Sequence, residues 1–331
     1  MTLHQPITFT IKNWTDLLKV SSLLDDIYVF RGQAQSNWLI TPSLERILKE
    51  HILFGDIGLF LLDNREYWML REFKRKFHLY STERPSENDN FEWLSIMQHH
   101  GAPTRLVDFT NSIFIAAHFA VSETISESAI WCLNIDFDYF KSQVSRHYNL
   151  NLPQDYLGDK WNEEYINLCN KHIGNDIKVD KDFILPVEPK RFTRRLSAQQ
   201  GLFLMPLNPK KGFKENLIGT YQLDDLKFNE LSLSAFIRKR SLYKKYSIIK
   251  IILPKSECND ILSNLIRMNI SKDNLFPDLD GFSKSLAETV VRDFSIWKEL
   301  SREAKKRKEE KRKRSNKTTP NKSIAARGAG Q

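Results

Sequence analysis

Arg31 ends an apolar run, Ile27-Tyr-Val-Phe, and is followed by Gly32 and then by Gln33, Gln35 and Asn37 before Trp38. An arginine in that place offers a planar fork of donors to a phosphate or carboxylate, and glycine lets a ligand approach the backbone. The competing reading is a structural ion pair with a buried carboxylate, Asp108 being one candidate. A second polar group runs from Gln98 to Thr110 (QHHGAPTRLVDFT) and holds His99, His100, Arg105 and Asp108. These side chains can donate, accept and shuttle protons. Two adjacent histidines cannot point the same way, so at most one of them faces a site. Gly101 and Pro103 fit a capped helix end with a loop behind it, which leaves the density of polar side chains unexplained. A third group, Arg191-Phe-Thr-Arg194-Arg195-Leu-Ser-Ala-Gln199-Gln200-Gly201, sets three arginines before a glutamine pair at the mouth of a strand. Glutamine is neither acid nor base, yet it can hold an amide, a base edge or a ribose by paired hydrogen bonds. The alternative is an edge strand with a solvated basic approach.

Other patterns narrow the chemistry. No CxxC pair and no HExxH occurs, so no metal is expected. The stretch from Asn274 to Leu286 places Asp278 and Asp280 before Gly281, but Gly281-Phe-Ser-Lys-Ser lacks phosphate-loop spacing. Asp280-Gly281 followed by Ser283 reads as a turn and cap into the last helix.

The elements that must carry these residues can be read from periodicity. A buried strand is expected over residues 27–31, and Thr41-Pro42 predicts a helix start before residues 43–48. Leu59, Leu62, Glu66, Met69, Leu70, Phe73 and Phe77 predict an amphipathic helix over residues 59–79. A short helix over 91–100 stops at Gly101, and residues 111–121, with Ala116, Ala117 and Ala120, predict a helix packed closely on a sheet. Strands are expected over 130–135, 202–205 and 246–253, with a helix from 255 to about 268. The weakly patterned stretch 137–182 is left without assignment, as an insertion. Together these give an α+β fold with a mixed central sheet.

The net charge of +9 resembles a nucleic-acid signature until it is located. Residues 298–331 carry 13 Lys/Arg against 4 Asp/Glu, so the excess lies there and residues 1–297 sum to zero. The organisation expected is an entry segment over 1–26, a domain over 27–297, and a charged helical extension over 298–331 ending in a disordered tail. Any sequence-independent contact with nucleic acid belongs to residues 298–331. The longest apolar run, Ile113 to Val121, is too short to span a bilayer, so no membrane partner is expected. The first residues lack the basic-then-apolar form of a signal peptide. Cys132, Cys169 and Cys258 lie far apart with no pairing pattern, and a reducing cytoplasm fits them.

Tyr28-Val-Phe-Arg-Gly-Gln33 with Trp38 and Pro42-Ser-Leu44, then the Gln98–Thr110 stretch leading to Ala116-Ala-His-Phe-Ala120, resembles the FRG domain family, which is bacterial and phage-associated. The blocks around Gln199-Gln200-Gly201 and Leu275 to Gly281 are similar to that family's later motifs. A further similarity is to ADP-ribosyltransferases of the Arg-Ser-Glu type. Phe30-Arg31-Gly32 matches their strand end, and Phe109-Thr110-Asn-Ser112 through Ala120 matches their second block. That likeness implies an ADP-ribosyltransferase-like core, NAD as cofactor, and a nucleotide or other phosphate-bearing small molecule as ligand. It implies that Arg31 grips a phosphate, Thr110 and Gln33 a ribose, and Gln200 the base or reacting ribose. Gln199 and Arg105 join the binding set, while His100 and Asp108 orient groups or handle protons. The glutamate that such enzymes place before the strand at 202–205 is replaced here by Gln199-Gln200, and a neutral amide cannot supply its electrostatic stabilisation. NAD chemistry therefore needs another acid, Glu188, Glu92 or Asp108. Two other classes stay open: a non-catalytic binding module, and a metal-free nuclease using His99 or His100. An effector role in bacterial or phage defence is the setting the resemblance implies.

Overall fold

The aromatic and β-branched run at Tyr28 forms a strand, and its unequal pairing with its two neighbours shapes the molecule. The computed structural model describes residues 5–24, 27–51, 62–148, 159–174, 181–238, 246–287 and 300–309. In chain order the elements are β1 (Ile7–Thr10), α1 (Trp14–Ser21), β2 (Tyr28–Gln33), α2 (Ser43–His51), α3 (Leu62–Phe77), α4 (Asn90–His99), β3 (Val107–Thr110) and α5 (Ile113–Val121). There follow β4 (Ser128–Asn134), α6 (Phe137–Tyr148), α7 (Asp159–Lys171), β5 (Ile184–Val187), α8 (Arg194–Ala198) and β6 (Gly201–Pro206). The last are α9 (Phe213–Tyr221), β7 (Asn229–Glu230), α10 (Leu233–Arg238), β8 (Ile248–Leu253), α11 (Lys255–Arg267) and α12 (Lys272–Leu275).

The strands form one mixed sheet in the order β5-β6-β3-β2-β4-β8-β1-β7. β2 pairs antiparallel with β4 along its whole length, from Tyr28 to Gln33. Its pairing with β3 is confined to one position, Phe30 opposite Thr110. β3 is itself fully paired with β6 from Val107 to Thr110. Beyond Phe30 the sheet therefore parts between β2 and β3, and Arg31 stands on one lip of the gap with Asp108 on the other.

Both faces of the sheet are covered, which is why the central strand β4 reads as an unbroken apolar run, buried from Ser128 to Asn134. One core gathers Val29, Trp131 and Leu133 with Trp93, Phe140, Val144, Tyr165 and Cys169. The stretch 137–182 thus supplies two helices that pack into the same core as the rest. The opposite core gathers Phe9, Tyr28, Phe30, Cys132 and Ile251 with Ala116, Ala117 and Ala120. Residues 1–26 are more than an entry segment: β1 pairs in parallel with β8 and buries Ile7 and Phe9. The chain after α12 turns helical over residues 279–287, four residues before Ser283, because Asp278 caps it by accepting from the Gly281 N–H at 2.6 Å. Residues 300–309 are helical and exposed, and the tail over 315–331 lies outside the described residues. No helix among the described residues is long and apolar enough to cross a membrane.

Gly32 is explained by packing. A Cβ placed on it would sit 1.9 Å from the Ala116 carbonyl oxygen and 2.6 Å from the Ala120 nitrogen. Helix α5 therefore lies backbone against backbone on β2, which the small residues on its inner face permit. Gly32→Ala is expected to destabilise the protein by about 3 kcal/mol or more, since neither backbone can yield as a side chain would. Urea unfolding followed by circular dichroism measures this, and a loss under about 1 kcal/mol would refute the packing account.

Candidate functional site

The parting of β2 from β3 opens a cleft of about 320 Å³ lined by Phe30, Arg31, Trp38, Arg46, Asp108, Phe119, Glu123, Arg195 and Gln199, among others. A second lobe of about 180 Å³ continues past Arg31, Arg46 and Asp108 toward Thr41, Ser43, Gln98 and Gly101. A small side pocket lies against the same wall, lined by Ser95, Gln98, His99, Asp108, Thr193, Arg195 and Gln199 with the apolar Leu196 and Phe203. Asp108 borders all three spaces and Arg31 borders the two larger ones. The three polar groups singled out in the sequence converge here, although up to 170 positions separate their members.

Arg31 spans the gap. Its Nη1 donates to the main-chain oxygen of Asp108 at 2.6 Å, while its Nε is buried with no hydrogen-bond partner. Burial draws the guanidinium pKa below its ordinary value; the Asp108 carboxylate opposes that, and the charge of Arg46 adds to it. Arg46 Nη1 donates to the Thr41 oxygen at 3.2 Å, and the Arg195 guanidinium lies 4.5 Å from the centre of the Phe276 ring. None of the three arginines has an ion-pair partner among the described residues. Three guanidiniums around one space, unneutralised by direct contact, make a receptor for an anion.

Asp108 is exposed, and its Oδ2 accepts from Gln98 Nε2 at 3.0 Å. The expected ion pair with Arg31 is replaced by the main-chain contact, so the carboxylate keeps acceptor capacity toward the cleft. Of the other acids weighed from sequence, Glu92 is turned away, its Oε2 accepting from the Lys190 N–H at 3.2 Å. Burial, reinforced by Asp89, raises its pKa. Glu188 lines none of the three spaces. Glu123 does reach the cleft, where it pairs with Lys272 at 2.7 Å.

Several expected ligand groups are committed within the protein. Gln33 accepts from the Trp131 indole N–H at 2.7 Å and donates to the Leu39 oxygen at 3.2 Å, which fixes the loop after β2. The Thr110 hydroxyl donates to the Gln199 oxygen at 2.7 Å and accepts from the Ser112 N–H at 3.0 Å, tying β3 to the end of α8. Gln199 Nε2 donates to the Leu275 oxygen at 3.0 Å, leaving its amide oxygen as the free end in the cleft. These three line the space chiefly as its frame.

Three expectations are corrected. Arg105 is fully buried and paired with Glu66 of α3, and its Nη1 donates to the His172 oxygen at 3.0 Å. It fastens α3 and the end of α7 to the loop before β3, and it lines none of the three spaces. Gln200 is exposed in the left-handed conformation, at φ 45°, and lines none of the three spaces. It serves the reversal from α8 into β6. His100 is the exposed C-cap of α4, where Gly101 at φ +83° ends the helix and its N–H reaches back to the Gln98 oxygen at 3.0 Å. His99 faces the side pocket in its stead, because on a helix it shares a face with Ser95, four residues earlier.

Sequence reading missed Arg46, Phe119 and Glu123 as cleft residues. Arg46 follows Pro42 by one helical turn, and Phe119 and Glu123 are four apart, yet no local pattern distinguishes them from ordinary surface residues.

Residues 26–129 match the family model of the FRG domain. The chain carries an FRG domain. The matched segment holds Arg31, Arg46, His99, Asp108, Phe119 and Glu123, whereas Arg195 and Gln199 enter the cleft from beyond it. No curated protein and no solved structure matches the chain. Within the Phe-Arg-Gly motif, Phe30 is core, Arg31 faces the cleft and Gly32 makes room for α5.

Arg105→Ala is expected to lower the unfolding free energy by about 3–5 kcal/mol, because it strands the buried Glu66 carboxylate. Chemical denaturation checks this. A stability within about 1 kcal/mol of the parent would show that the pair is not a fastening.

Proposed function

We propose that the FRG domain binds a phosphate-bearing nucleotide of the NAD or ADP-ribose class in the cleft between β2 and β3. The observation that carries this reading is Arg31, whose buried Nε lacks a partner at the meeting point of two lobes that Arg46 also lines. A guanidinium held in low dielectric without a carboxylate gains most from an anion that restores its missing bonds. Trp38 and Phe119 offer flat apolar surface for a base, and the larger lobe, about 320 Å³, falls at the small end of ligand-site volumes. Asp108 is the acid placed to stabilise positive charge developing on a ribose, the role that the resemblance gives to a glutamate elsewhere. A defence effector that consumes or senses such a nucleotide is the biological setting we propose.

A non-catalytic binding module is the second reading. It draws support from Gln200, which lies outside the cleft and leaves the glutamate of the resemblance with no counterpart at that place. Nicotinamide release from NAD separates the two readings.

Isothermal titration with NAD and ADP-ribose tests the proposal. Arg31→Ala is expected to weaken binding by about 10- to 100-fold, the value of one charge-assisted contact, with unchanged circular dichroism. Equal affinity in parent and variant, or no binding and no thermal shift with either nucleotide, overturns it.

The helix over residues 300–309 is exposed throughout and carries Arg302, Lys305, Lys306, Arg307 and Lys308. We propose that residues 298–331 make sequence-independent contacts with nucleic acid. Removing residues 300–331 should leave the melting temperature unchanged and abolish salt-sensitive binding to duplex DNA or RNA. Binding that persists after truncation refutes the assignment.

A further inference from the structure

We propose that the side pocket beside Asp108 holds the water molecule that attacks the bound nucleotide, with His99 as its general base, so that the cleft hydrolyses NAD. The inference rests on the nucleotide reading above and adds to it the second substrate and the group that activates it.

The pocket measures about 30 Å³, above the roughly 10–15 Å³ that a water needs. Its wall is mixed: Leu196 and Phe203 supply apolar surface, and Ser95, Gln98, His99, Asp108, Thr193, Arg195 and Gln199 supply polar groups. Asp108, Arg195 and Gln199 belong also to the large cleft, so a molecule held in the pocket adjoins a ligand held by Arg31. The ring nitrogens of His99 and the hydroxyl of Ser95 make no hydrogen bond to any described residue, which leaves them available to a water. The charged groups that act on His99 are His100, Arg195 and Asp278, and Asp108 shares the pocket wall. Burial first, then the charges of His100 and Arg195, hold the His99 pKa below 6.5 against the opposing Asp278. The ring is therefore unprotonated at neutral pH and able to accept a proton.

The step balances as a hydrolysis. The water oxygen bonds to the anomeric carbon of the nicotinamide ribose, and the carbon–nitrogen bond breaks with its electron pair on the departing neutral nicotinamide. The water proton passes to a ring nitrogen of His99 and then to solvent. ADP-ribose, nicotinamide and one proton result. Asp108, on the wall shared by both spaces, stabilises the positive charge that builds on the ribose.

The test uses the full chain with NAD, following nicotinamide and free ADP-ribose by chromatography, alongside calorimetric binding of ADP-ribose. The parent is expected to form the two products in equal amounts, with a rate that rises with pH as His99 loses its proton and levels off by neutrality. His99→Gln is expected to reduce turnover by about 100-fold or more and to abolish the pH rise, while ADP-ribose affinity stays within about 3-fold of the parent. Turnover that survives His99→Gln overturns the proposal, as does a parent that binds ADP-ribose and releases none from NAD. A parent rate that holds level from neutrality down to about pH 4 overturns it independently of how the variant folds. A parent that binds no ADP-ribose fails at the earlier step, overturning the nucleotide reading and this inference together.

Discussion

A strand can satisfy its backbone through two neighbours, and β2 divides itself unequally between them. All six of its residues, Tyr28 to Gln33, pair with β4, whereas one position, Phe30 opposite Thr110, pairs with β3. The cleft follows from this. β3 stays in register with β6, so the far half of the sheet keeps its own course, and a gap opens where the ladder stops. Among the described residues the only hydrogen bond from the Arg31 guanidinium crosses that gap to the Asp108 main chain. On the opposite face α5 presses its backbone onto Gly32, which prevents β2 from relaxing away from the parting.

Two arginines, Arg105 fully buried and Arg31 partly so, show how the same side chain takes opposite duties. Arg105 has a carboxylate, Glu66, and a main-chain oxygen, so its charge is compensated inside the protein, although its Nε too has no hydrogen-bond partner among the described residues. Arg31 has a single main-chain oxygen and an orphaned Nε. Its burial is compensated only in part, and the deficit faces an open space. In the proposed reading an incoming anion supplies what the fold withholds from it.

The histidine pair makes a related point about helix ends. Gly101 stops α4 in the left-handed conformation, which leaves His100 on the solvent side as the cap and His99 on the last helical turn. One residue of rotation decides which imidazole meets Asp108 and Arg195 across the side pocket. Burial, and after it the charges of His100 and Arg195, draw the pKa of that imidazole below its ordinary value. The electrostatics of the pocket thus depend on a cap more than on any feature of the histidines themselves.

Much of this was legible in the residue order. The strand at Tyr28, the alanine-faced helix, the capped end at Gly101 and the neutrality of residues 1–297 all follow from local periodicity and composition, because those properties arise within a few residues. The family motif and its arginine were legible for the same reason. The partners were not. Arg105 and Arg31 look alike in sequence, and only the position of Glu66, 39 residues before Arg105, made the first structural. Gln33 and Thr110 looked like ligand groups until Trp131 and the main chain of Gln199 claimed them across the sheet. Arg46, Phe119 and Glu123 became neighbours only when α2 and α5 closed around the gap. Sequence by itself determined the elements and the chemistry available. Tertiary structure decided which groups were spent on one another and which were left for a ligand, since hydrogen-bond satisfaction is settled by contacts distant along the chain.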